Sequence, residues 1–363
     1  MINIMAKYFA LFLVFLNLMA CSEKDDSEPE PVTQTKYLAI SNSNSDGAIT
    51  AFIYPAGETV GSSYRPPKQP NMLFEGIDDA EWTGSNIYVA RTSAKVVDIL
   101  DEKTLTVSES ITYSKYLSQN YAKRRIATGG GKIFVTGRDL MLPSFETKNY
   151  LFAFDKSSPS KFDSIPLAVP DADVRGLVYS KGHVFVSWRS NVDKARIEVI
   201  DPVGLTILKT FTLATSYQIN EIVLDQDENV MAFSADSIIV IDTQTLAVKW
   251  KKKFYSMNAS LDNYRNLSSL SFDFPGHMMY AVQAAPQPAT APHVIYRYDL
   301  NQEPLDRQIV TKNFVGASVI NFEPKSQIIM IGFLNKVTLL DTSAVVKASI
   351  SIPYTITEIM VKR

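Results

Sequence analysis

The stretch "INEIVLDQDENVMAFSADSIIVIDTQTLAVKW", Ile219–Trp250, places four short β-type runs in a row. "INEI" is apolar, polar, polar, apolar. "VMAF" begins at Val230, "IIVID" closes on Asp242, and "LAVKWKKKF" starts at Leu246. Runs rich in Val, Ile and aromatics, separated by Asp, Asn, Ser and Thr, read as strands joined by turns.

The same order recurs along the chain. Runs like "VMAF" are "YLAI" at Tyr37, "IYVA" at Ile87, "IFVT" at Ile133, "VFVS" at Val184, "MMYAV" at Met278 and "IIMI" at Ile328. Their centres fall roughly every 48 residues, a period that marks a repeat architecture. A second run follows each and commonly ends on aspartate: Asp101, Asp155, Asp201, Asp242, Asp299 and Asp341. An aspartate there opens a turn, because its side chain bonds the backbone ahead. The "INEI" motif returns as "IDDA" at Ile77, "VRGL" at Val174, "LSSL" at Leu267 and "VGAS" at Val315, with a poorer copy, "KRRI", at Lys123. The first repeat lacks this motif, and "ITEI" at Ile356 supplies it from the other end.

Four antiparallel strands recurring seven times, with a circular match between the ends, predict an all-β, seven-bladed β-propeller. The final strand would join the first blade and leave no open edge. A pair of β-sandwiches would not produce that circular match. In blade pattern, over residues 35–363, the chain resembles the YVTN-type propeller superfamily.

Ahead of this repeat lies a different kind of sequence. Lys7 precedes the apolar run "YFALFLVFLNLMA", Tyr8–Ala20, too short for a membrane span and of signal-peptide length. "LMAC", Leu18–Cys21, resembles the bacterial lipobox, which implies a signal over 1–20 and lipidation of Cys21. Cys21 is the single cysteine among 363 residues, so no intrachain disulfide is available. Residues 21–34 are acidic and proline-bearing, a composition that reads as a tether. "SEKDD" resembles the export signal of surface lipoproteins of the Bacteroidota. That resemblance implies lipid anchorage in the outer membrane at the cell surface, with a periplasm-facing position as the alternative.

Composition narrows function by exclusion. Charged residues are 20% and the net charge is −2, so nothing suggests nucleic-acid binding. The three histidines, His183, His277 and His293, share no ligand spacing, and neither a metal site nor a cofactor is expected. "GGGK" at Gly129 opens no helix and is not a phosphate loop. "DQDEN" at Asp225 has a calcium-like cluster of oxygens but lacks the loop glycine and bidentate glutamate of an EF-hand, and reads as a turn. "IDTQTLAVKW" resembles one quinoprotein docking repeat, without its glycine and without companions, so Trp250 is expected to pack between blades.

Connections on the two faces of such a ring differ in kind. One face has tight turns such as "TGS" at Thr83, "SKG" at Ser180 and "TQT" at Thr243. The other has long excursions: Ala56–Leu73, Tyr113–Arg125, Gly137–Asn149, Ser187–Arg196, Tyr255–Asn266 and Ala284–His293. These are aromatic and basic. Tyr64, Arg65, Tyr121, Arg124, Arg125, Arg138, Arg175, Trp188, Arg189, Tyr217, Tyr264 and Tyr354 form the expected ligand-binding set. Tyr, Trp and Arg dominate the energetics of binding surfaces. Asp78, Asp79, Asn220, Glu221 and Glu358 are expected at the channel mouth beneath them.

The expected function is capture of a small molecule or glycan on this face by a monomeric, membrane-anchored protein. By resemblance to surface propeller lipoproteins, it would serve TonB-dependent uptake of a siderophore, cobalamin or glycan beside a transporter. Two alternatives remain open: a protein-interaction scaffold at the outer membrane, and a lyase or hydrolase using Asp79, Glu221 and Arg175. No catalytic motif is apparent, which favours binding over catalysis.

Overall fold

The computed structural model divides into two units, Met1–Thr35 and Lys36–Arg363. It describes residues 35–43, 46–54, 56–60, 63–67, 75–91, 95–113, 124–141, 146–167, 173–189, 196–212, 219–234, 237–254, 267–283, 292–315 and 317–362. Cys21 and the acidic stretch that follows it lie outside these residues.

The second unit is a seven-bladed β-propeller. Each blade is a four-stranded antiparallel sheet whose strands run outward in chain order. Blade 1 is composite: Thr355–Val361 supplies its innermost strand, beside Thr35–Asn42, Gly47–Tyr54 and the short Glu58–Thr59. Tyr37 pairs with Val361 and Ala39 with Ile359. Among the described residues, no helix is long and apolar enough to cross a membrane.

Burial follows position within the blade. The third strands Val96–Asp101 and Ser237–Asp242 are buried through their first five residues, because neighbouring blades cover both faces. Outermost strands such as Thr206–Thr212 and Ala247–Lys253 are mostly exposed. The core is a series of inter-blade layers. Val178, Phe185 and Val199 of blade 4 pack on Ile222, Val230 and Ile239 of blade 5. Tyr37 and Phe52 of blade 1 pack on Val319, Met330 and Leu339 of blade 7.

The aspartates that close the third strands act as turn acceptors. Oδ1 of Asp101 accepts the amides of Lys103 and Thr104 at 3.0 and 2.9 Å, and Oδ1 of Asp242 those of Gln244 and Thr245 at 2.9 and 2.7 Å. Asp201, Asp299 and Asp341 accept likewise. Leu105, Leu205, Leu246 and Ala344 then take positive φ to reverse the chain. Hydrogen bonds from the turn hold the Asp101, Asp155, Asp201 and Asp242 carboxyls below their ordinary value. "DQDEN" is indeed a turn: Asp225 accepts the amides of Asp227 and Asn229.

The "INEI"-type motif marks a β-bulge. Pairing between first and second strands slips between Ile77 and Asp79, Val174 and Gly176, Ile219 and Glu221, Leu267 and Ser269, and Ala317 and Val319. The skipped residues, Asp78, Arg175, Asn220, Ser268 and Ser318, are all polar. A bulge leaves its extra residue outside the ladder and re-aims its side chain.

Three boundaries differ from expectation. In blade 7 the motif is Ala317–Ile320, not "VGAS", because Val315 still belongs to the outermost strand of blade 6. In blade 3 the inner strand starts at Ile126, after both arginines. The excursion Gly137–Asn149 is largely a hairpin extension: Lys132–Met141 and Glu146–Asp155 stay paired from Lys132↔Asp155 to Met141↔Glu146.

Candidate functional site

Loop lengths and charge direct attention to the face carrying the starts of the innermost strands. Around blades 1 to 3 this face is built on buried charge. Arg91 ends the second strand of blade 2. Its Nε meets Glu75 Oε1 at 3.3 Å, and its Nη1 lies 3.7 Å from Asp98 Oδ2. All three side chains are at most 3% exposed. Its Nη2 donates to the Pro67 carbonyl. Asp98 also accepts the hydroxyls of Tyr64 and Ser110. Burial raises the Tyr64 hydroxyl pKa and the Asp98 charge raises it further, so Tyr64 stays protonated and donates.

Arg124 extends the network into blade 3. Its Nη1 donates to Asp78 Oδ2 at 3.0 Å and to the Arg91 carbonyl at 2.8 Å. Burial opposes its charge, but Tyr113 and Asp78 outweigh that, and its pKa is raised. Asp78 and Asp79 also join blade to blade through the backbone. Asp78 Oδ2 accepts the Arg124 amide at 3.2 Å, and Asp79 Oδ2 accepts the Ile126 amide at 3.0 Å. Arg125 Nη1 stands 3.8 Å from Asp79 Oδ1.

Similar stitches recur around the ring. Ser269 Oγ accepts the Ile320 amide at 3.1 Å, Ser271 Oγ the Phe322 amide at 2.8 Å, and Asn321 donates to the Ile359 carbonyl at 2.7 Å. Much of the polar lining near the axis therefore holds the innermost strands in register. Asp79 in particular is engaged by the backbone of the next blade.

The sequence-predicted residues separate into three groups. Tyr64, Trp188 and Arg124 are 4%, 1% and 4% exposed, so they present almost no surface to a ligand. Tyr64 packs with Leu38, Ile49 and Val89, while Trp188 packs with Leu167, Val174 and Val186. An aromatic ring near a blade top gains more by covering the inter-blade layer than by standing in water. Tyr113, also on this face, is buried against Phe152 and Phe154. The second group is partly or fully accessible: Arg65 is exposed, while Tyr354, Asp78, Asp79, Arg125, Arg175, Glu221 and Glu358 are half-buried. Arg175 pairs with Asp173 at 3.2 Å. The third group, Tyr121, Tyr217 and Tyr264, lies outside the described residues; Arg138, Arg189 and Asn220 are placed only as strand residues.

Two residues far apart in sequence meet in the second group. The Arg65 guanidinium lies over the Tyr354 ring, 5.6 Å from its centroid. Arg196 makes a comparable contact with Trp188 at 5.5 Å. Sequence reasoning missed Glu75, Arg91 and Asp98. The available signal was an acid inside "VVDILD", a run otherwise shaped for complete burial. Among the described residues, no group of three or more His, Cys, Asp or Glu side chains is placed to hold a metal.

No protein-family model and no curated protein matches this chain. Solved structures do. A putative 6-phosphogluconolactonase from Bacteroides fragilis superposes with a TM-score of 0.61 at 11% identity, over 91% of this chain and 99% of that one. Apo AztD from Citrobacter koseri gives 0.57 at 11% identity, over 90% and 97%. The Cps50 (Swd1) β-propeller domain from Myceliophteria thermophila gives 0.56 at 14% identity, over 82% and 90%. At such identities the likeness is one of fold: this chain is a seven-bladed propeller similar in architecture to proteins with unrelated names.

Proposed function

We propose that this protein is a bacterial outer-membrane lipoprotein, anchored through Cys21, that captures a ligand on the loop-rich face of its propeller. The YVTN-type blade pattern and the Bacteroidota-like tether belong to the same reading. So does a role beside a TonB-dependent transporter, with a siderophore, cobalamin or glycan as cargo.

The observation that carries the reading is the contrast between the faces. One face is closed by short turns whose aspartates satisfy their own backbone. The other joins longer segments and exposes an arginine lying over a tyrosine ring. Rigid scaffolds commonly place binding residues on loops, and propellers follow that logic. Asp79, held by the Ile126 amide, is poorly placed as a free acid or base, which weighs against the lyase or hydrolase reading.

The test has two arms. Metabolic labelling with a fatty-acid probe reports the anchor, and Cys21→Ser is expected to abolish it. Thermal-shift measurements on the full chain with a catecholate siderophore, cobalamin and oligosaccharides report capture. A null result across all three classes would count against capture, independently of the anchor.

A second reading, a scaffold that grips another protein, draws on the blade 3 hairpin, whose paired strands reach Met141 and Glu146. Affinity purification yielding a stoichiometric protein partner would favour it.

A further inference from the structure

The arginines of the loop-rich face are not equivalent. Arg91, Arg124, Arg125 and Arg175 each face a carboxylate, at 3.3, 3.0, 3.8 and 3.2 Å. Their charge is balanced within the fold. Arg65 is exposed, its contact is the Tyr354 ring, and no carboxylate partners it among the described residues.

Its position is set from both sides. Tyr64, the preceding residue, exchanges two backbone hydrogen bonds with Ile49, at 2.9 and 3.0 Å, and donates its hydroxyl to Asp98. Pro66 is buried and the Pro67 carbonyl accepts from Arg91. Tyr354 is held equally well. The Ile352 amide donates to the Asn335 carbonyl at 2.7 Å and the Ile356 amide to the Leu334 carbonyl at 2.7 Å. Two fixed segments, 289 positions apart, thus bring one guanidinium over one phenol ring.

Stacking leaves the N–H edge of a guanidinium available, and that planar fork matches a carboxylate or phosphate through two parallel hydrogen bonds. A fork already fixed in orientation loses less freedom on binding than a free side chain. The geometry points to Arg65 on Tyr354 as an anion-recognition subsite, taking the carboxylate or phosphate group of a small organic ligand. This deepens the capture reading and rests on it: the subsite would hold the charged group while other loops contact the rest of the cargo.

The experiment titrates the full chain with citrate, inorganic phosphate and, as a neutral control, maltose, by calorimetry at low salt. Binding of citrate or phosphate but not maltose is expected, with the preferred anion identifying the group. Arg65→Ala is expected to weaken it at least tenfold. Arg65→Lys, which keeps the charge but loses the fork, is expected to weaken it several-fold, and Tyr354→Ala likewise. Arg307→Ala, a cation stacked on Tyr296 of the outer strands, is expected to change nothing. Melting temperatures of all variants monitor folding. No anion binding by the wild type, or equal anion binding by wild type and Arg65→Ala, overturns the subsite. A neutral ligand that binds wild type and both Arg65 variants equally, with no anion bound by any of them, overturns it too, yet leaves capture standing.

Discussion

The side-chain amide of Asn42 bonds both backbone groups of Ile77: its Oδ1 accepts the amide at 2.9 Å and its Nδ2 donates to the carbonyl at 3.0 Å. One side chain here does what a strand would do, across the boundary between blades 1 and 2. The same Nδ2 lies 3.1 Å from Thr357 Oγ1 on the closing strand. Asn42→Ala leaves backbone groups of Ile77 without those partners at a half-buried junction. The expected loss is about 1–3 kcal/mol, read as a lower midpoint in urea unfolding. Asn42→Asp removes the donor and keeps the acceptor, so it should fall between wild type and alanine.

The Glu75–Arg91–Asp98 group predicts a second effect. Removing one member strands the others in a site with almost no solvent, so Arg91→Met is expected to destabilise by about 3–5 kcal/mol. Replacing Glu75 and Arg91 together by apolar residues should cost less than the two single changes added. A double-mutant cycle in chemical denaturation checks this, and strict additivity would show that the pair is not coupled.

Gly129 lies under a ring. A Cβ there would stand 1.9 Å from Tyr179 Cδ1, and Tyr179 stacks on Phe134 at 5.9 Å. Gly129→Ala forces that ring to move and is expected to cost about 1–3 kcal/mol, as overpacking does. Adding Tyr179→Ala makes room, so thermal melts of the double variant should show less damage than the sum of the single effects.

The turn aspartates set the acid limit of the fold. Their folded pKa values are depressed, so the stability they contribute is fully present above the unfolded value and lost as pH falls through the folded one. With an ordinary value of 3.8, the loss lies below about pH 4. Melting temperature followed from pH 6 to pH 2 should fall in that window. Asp101→Asn and Asp242→Asn should flatten the fall while lowering stability at pH 6. An unchanged slope would remove these groups from the explanation.

Much of this fold is legible in the chain because each blade repeats the same local chemistry. Asp242 and Leu246 specify a turn with no help from distant residues. The polar pair in "INEI" announces a bulge in the same local way. The site is less legible for the opposite reason. Tyr64 and Trp188 are the residue types a binding surface favours, but whether an aromatic ring faces water or slips beneath a blade depends on how the adjoining blade packs against it. Asp98 receives Tyr64 and Arg91 once blades 1 and 2 have packed, and Arg65 finds Tyr354 only once the ring has closed. Such pairings obey no local spacing.

The composite first blade also has a consequence for how the molecule is made. Synthesis runs from the amino end, so the Thr35–Asn42 strand is made first and waits for Thr355–Val361. Until then Tyr37, Leu38 and Ala39 present an unsatisfied backbone edge to whatever is nearby. A chain released before Thr355–Val361 has been made is therefore left as an open crescent whose first strand can pair with another chain.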